Sequence, residues 1–108
     1  AALYERALAS PSAPALAAKN LAWLLATTGD LSLRDGPTAV RWAEYYANTV
    51  GTDRFDALET LAAARAQVGD FTNAVALQAA AIDKAPEAQR ERMRTHLEQY
   101  RRQMPYRE

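Results

Sequence analysis

Residues 58–86 read LETLAAARAQVGDFTNAVALQAAAIDKAP, and this stretch decides the fold. Apolar or alanine positions recur at three- and four-residue spacing on both sides of Gly69-Asp70, the period of helices with one buried face. Glycine next to aspartate marks a turn, aspartate is a favoured first residue of a following helix, and Pro86 cannot continue a helix. The stretch is therefore a helix, a turn and a helix. On either side of it, Pro11, Pro14, Gly29, Gly36-Pro37, Gly51 and Pro105 punctuate the chain. They leave helices near 14–28, 36–49, 54–68, 71–84 and 87–103, after a partial helix at 1–10. No stretch alternates with period two for long enough to suggest a strand, so the fold class is all-α.

Composition agrees. The chain of 108 residues holds 25 alanines against four glycines, and alanine leads the helix-propensity scale. Apolar residues make up 49%, enough for one packed domain and too much for wholesale disorder. Thirteen basic side chains balance thirteen acidic ones, which argues against a nucleic-acid or acidic-surface binder. With no cysteine there is no disulfide, thiolate zinc site or thiol catalysis. No apolar run approaches the roughly 20 residues of a membrane span, so membrane insertion is not expected. The compartment, cytoplasmic or periplasmic, stays open.

Self-comparison finds three units in one register. Leu58, Leu61 and Ala62 precede the Gly69-Asp70-Phe71 turn, and Ala74, Ala81, Ile82 and Pro86 come after it. Leu21, Ala22 and Leu25 open an upstream helix in the same register, with Ala39 in its partner; Tyr4, Ala7 and Leu8 end a still earlier unit. These residues resemble the tetratricopeptide repeat, a helix–turn–helix unit of roughly 34 residues. From Leu21 to Leu61 is 40 residues, six more than that period, and five of them fall in the long turn Thr28–Gly36. The pattern departs from the family at Arg65 and Gln78, where aromatic residues are usual, and at Tyr46, where a small one is.

The resemblance implies a right-handed solenoid of antiparallel helix pairs. Residues 1–10 would be the second helix of a truncated repeat, 14–50 a repeat with a long turn, and 54–86 a second repeat. Residues 87–103 would form a capping helix with Met93, Leu97, Tyr100 and Met104 on its apolar stripe, and 104–108 a tail. The whole reads as the C-terminal end of a longer bacterial array. Small residues at Ala22, Ala62, Ala74 and Ala81 would let helix axes approach to about 8–10 Å.

Catalytic signatures are lacking. There is no phosphate-binding glycine loop and no nucleophile elbow. His96, the only histidine, has Arg92 and Tyr100 as helical neighbours, a poor metal set, and reads as a partly exposed cap residue. Asp53, Asp56 and Glu59 cluster at a helix start, where each stabilises the helix dipole by about a few tenths of a kcal/mol. No enzyme activity, cofactor or metal is expected. The six arginines of residues 87–108 stand against four glutamates and read as a solvated face.

In tetratricopeptide arrays the first helix of each pair lines a concave groove, and the matching positions here are Leu16, Lys19, Trp23 and Ala26, then Asp56, Glu59, Ala63 and Ala66. The resemblance thus implies a non-enzymatic module that holds a protein or peptide segment in this groove. Trp23 is either the groove's aromatic anchor or a core residue bridging two helices. Lys19 and Asn20 echo the carboxylate clamp of co-chaperone arrays, but two facing acids would repel a carboxylate and favour a basic partner. Two other roles remain: a structural spacer and solubilising cap, or self-association through the first helix, Ala1–Leu8.

Overall fold

Gly69 and Asp70 end one helix and start the next, and the computed structural model of the chain shows how. At the end of the preceding helix, Gly69 N donates to Ala66 O (3.1 Å) and Asp70 N to Arg65 O (2.9 Å), a Schellman cap. Gly69 takes φ +83°, a left-handed value open to a residue without Cβ. Asp70 then caps the next helix: its carboxylate accepts from Asn73 N (3.4 Å) and from Asn73 Nδ2 (2.7 Å). A connection this short makes the two helices fold back on one another.

Residues 14–30 and 35–107 are described, and they form five helices with no strand among them: α1 Pro14–Thr27, α2 Gly36–Val50, α3 Phe55–Gln67, α4 Phe71–Lys84 and α5 Glu87–Arg101. Each lies within two residues of its expected bounds. The helix expected at 1–10, and with it the first-helix surface for self-association, lies outside the described residues, as do Leu31 and Leu33 of the long turn. Asp35 caps α2 by accepting from Thr38 N (3.2 Å), and Pro37 sits in the first turn, where an N–H has no intrahelical acceptor.

Every helix packs on its neighbour in the chain, and α1 also packs on α3. Alanine makes this possible. Ala18, Ala22, Ala39, Ala43, Ala57, Ala62, Ala64, Ala74 and Ala81 are all fully buried, so backbones approach closely and Leu21, Leu25, Leu61 and Tyr46 fill what is left. Met93, Leu97 and Tyr100 of α5 are buried as their spacing predicts, but Met104 is 52% exposed. The stripe stops because the helix stops. Gln103 N donates to Tyr100 O and Met104 N to Gln99 O, both at 3.0 Å, a second Schellman cap that reverses the chain. Here the left-handed position is occupied by Gln103 at φ +60°, not by glycine.

Three residues that depart from the repeat pattern are polar links. Gln78 is fully buried and donates through Nε2 to Met93 O (2.9 Å), joining α4 to α5. Arg65 reaches Glu44 of α2 at 3.7 Å. Tyr46 is buried, and its hydroxyl donates to Asp56 of α3.

The two caps predict opposite responses. Gly69→Ala is expected to lower the unfolding free energy by about 1 kcal/mol, because a Cβ is disfavoured at positive φ. Gln103→Gly is expected to leave it unchanged or raise it by up to about 1 kcal/mol, by relieving the same conflict. Urea unfolding of both variants checks this.

Candidate functional site

A groove of about 340 Å³ runs between α1 and α3. Lys19, Asn20, Trp23 and Leu24 line it from α1, and Asp56, Glu59 and Thr60 from α3. The spacing explains the grouping: residues three and four apart share a helix face, so Lys19 with Trp23, and Asp56 with Glu59 and Thr60, each form one wall. Four of the eight positions expected to line a groove therefore meet there. The other four do not. Leu16 is 54% exposed on α1 outside the groove, and Ala26, Ala63 and Ala66 are buried in the core.

Trp23 takes part of each role considered for it. One side packs against the buried cluster of α1, α2 and α3, and the other faces the groove. Its backbone carbonyl also accepts from Thr27 Oγ1 at 2.7 Å.

The two acids are neutralised in place. Asp56 accepts two parallel bonds from Arg54, Nε to Oδ1 and Nη2 to Oδ2, both 3.1 Å. It also accepts from the Tyr46 hydroxyl, and Lys19 Nζ lies 3.7 Å away. Burial pushes the Asp56 carboxyl up, but the bonds from Tyr46 and Arg54 and the charges of Arg54 and Lys19 outweigh it and hold it below the ordinary value. The Tyr46 hydroxyl is pushed up to about 12, by burial first and by Asp56 second.

Glu59 is the more buried of the pair, 7% exposed, and ties three helices together. Arg92 of α5 grips it with both guanidinium nitrogens, Nη1–Oε2 at 3.1 Å and Nη2–Oε1 at 3.2 Å. Gln78 of α4 donates from 3.5 Å, and His96 Nδ1 of α5 stands 3.6 Å off. Desolvation raises the Glu59 carboxyl; His96, Arg92 and Gln78 together bring it below its usual value. This corrects two expectations. Glu59 does more than stabilise the dipole of its own helix: its carboxylate is buried and held by Arg92 of α5. His96 is no partly exposed cap residue: it is 4% exposed, and its ring is seated among aromatic neighbours.

Those neighbours come from beyond α5. After the reversal at Gln103, Tyr106 lays its ring on His96 (centroids 3.9 Å apart, planes at 34°) and beside Trp23 (5.9 Å). Arg107 Nη1 donates to Ala26 O at 3.0 Å, in the last turn of α1, where carbonyls lack helical partners. The chain beyond α5 thus returns to α1 next to the groove. Arg92, Tyr106 and Arg107 had no signal as site residues, since their partners lie on other helices at separations no helical period relates; Leu24, four residues after Asn20 on the same helix face, was legible by spacing alone. Among the described residues no group of three His, Asp or Glu could hold a metal ion, and no helix is long and apolar enough to cross a membrane.

Comparison with family models, with curated proteins and with solved structures finds no match in any of the three.

Both acids have lowered folded-state values, so their contribution to stability is complete above the ordinary carboxylate range. It is lost as pH falls through those lower values. Glu59→Gln should cost about 1–3 kcal/mol near neutrality, by removing a charge-assisted bidentate pair. The gap to the parent chain should then narrow between about pH 5 and pH 3, near and below a free carboxyl's pKa. Urea titrations across that range measure the gap, and a constant difference would contradict the assignment.

Proposed function

We propose that the chain is part of a tetratricopeptide-type array, a right-handed stack of helix pairs capped by α5, and that it binds a protein or peptide segment in the groove between α1 and α3 without catalysing a reaction. The observation that carries this reading is the convergence of Lys19 and Trp23 with Asp56 and Glu59 on one groove, from two helices that are each the first of a pair. The packing of α1 on α3, and the close approach at Ala22, Ala62, Ala74 and Ala81, support the stacked arrangement.

A binding role suits the electrostatics better than chemistry does. Acid–base catalysis needs neighbouring groups whose pKa values are pushed apart. Here Asp56 and Glu59 are both pushed down and each is held by an arginine. The same pairing removes the simple argument for a basic ligand. The acids are already matched by Arg54, Lys19 and Arg92, so the groove presents a half-buried indole, an ammonium and the polar Asn20 and Thr60 side chains. Rigid helices lose little entropy on binding, so a short extended segment reaches affinities of roughly micromolar order.

A spacer and solubilising cap is the second reading, and the outer face of α5 favours it. Glu91, Arg94, Glu98, Arg101 and Arg102 are all exposed there with opposite charges interspersed. Selection from a random peptide library against the intact chain separates the two. The binding reading expects an enriched motif whose affinity falls at least tenfold with Asn20→Trp, which fills the groove from an exposed position, and with Lys19→Glu. Both variants should stay within about 1 kcal/mol of the parent in stability, since each alters an incompletely buried side chain. No enrichment on a folded chain would favour the spacer.

A further inference from the structure

The segment Pro105–Arg107 lies on the molecule as a ligand would. Its backbone enters after a helix cap that holds Gln103, a residue with a Cβ, at φ +60°, a conformation that costs such a residue energy. Two side chains hold the segment down. Tyr106 stacks on His96 at 3.9 Å and meets the edge of the groove at Trp23, 5.9 Å away. Arg107 donates to the carbonyl of Ala26, at the electronegative end of α1. The seat therefore offers a stacking surface and a helix-end carbonyl acceptor, and Tyr106-Arg107 uses both.

From this geometry we infer that the groove selects an extended segment bearing an aromatic residue followed by arginine, and that the chain's own Tyr106-Arg107 occupies that seat until such a segment displaces it. The inference rests on the peptide-binding reading above and names the ligand chemistry at the end of the groove marked by Trp23, which lines the groove and also meets Tyr106. The chemistry comes from the contacts: imidazole and indole faces accept a stacked ring, and the end of α1 accepts a guanidinium. An acidic segment would meet that helix end with the wrong sign. Because the internal occupant is tethered, it competes at an effective concentration of millimolar order. An external segment binds only the fraction of molecules whose seat is open, so its apparent affinity drops in proportion.

The test uses the full chain and the variant Tyr106→Ala/Arg107→Ala. The probe is the acetylated, amidated peptide Gln-Met-Pro-Tyr-Arg-Glu, the sequence of residues 103–108. A control peptide has alanine in place of Tyr and Arg. Binding is monitored by the NMR shifts of the His96 ring protons, which the stacked Tyr106 ring is expected to move upfield in the parent chain. The variant should lose that upfield shift and regain it with the probe, at an affinity at least tenfold above the parent's, and the control peptide should do nothing. Equal affinity for parent and variant would overturn the inference. So would no probe binding by a folded variant that still binds peptides selected from the library, with the groove reading intact. If neither chain binds the probe or any selected peptide, the groove reading itself fails. If the variant loses its helical circular dichroism, and Arg107→Ala alone also fails to bind the probe more tightly than the parent, the segment is a structural strap and the inference is wrong.

Discussion

The carboxylate of Glu59 organises the half of the molecule that faces the groove. It is nearly buried, so it demands compensation, and the compensation comes from two other helices: Gln78 on α4 and Arg92 with His96 on α5. Those partners fix where α5 lies on the preceding helix pair. The position of α5 fixes His96, and His96 is the surface on which Tyr106 stacks. An apolar residue at 59 would leave Arg92 without its bidentate acceptor, and removing one partner of such a pair destabilises the fold.

Alanine supplies the complementary constraint. Helices faced with methyl groups pack closely, and α1 packs on α3 as well as on α2. Trp23 and Tyr46 each set one side against the core and carry a polar or groove-facing edge. Tyr46 shows how the arrangement accommodates a large residue where the repeat resemblance expects a small one. Its ring fills the core, and its hydroxyl goes to Asp56, which Arg54 clamps from the other side.

The helices were legible because their signals are local. Gly69-Asp70, Asp35 with Pro37, and Pro86 act within a turn of where they stand. The periodicity of Leu21, Leu25, Leu61, Met93, Leu97 and Tyr100 needs only one helix to read. The groove was legible in part, since Lys19 with Trp23 and Asp56 with Glu59 are each neighbours on one helix. What the sequence concealed is pairing across helices. Glu59 meets Arg92 across 33 residues, and Arg107 meets Ala26 across 81, separations that no period encodes. Reading Glu59 as a dipole-stabilising acid and His96 as a partly exposed cap residue judges each against its own helix alone. The reversal at Gln103 carried no glycine to announce it, so Met104 was placed on a stripe that had already ended.

The most direct measurement is amide and indole chemical-shift mapping during titration with a library-selected peptide. The account predicts perturbations concentrated at Lys19, Asn20, Trp23, Asp56 and Thr60, spreading to His96 and Tyr106. Perturbations confined to the outer face of α5, around Arg94 and Glu98, with the Trp23 indole unmoved, would contradict it.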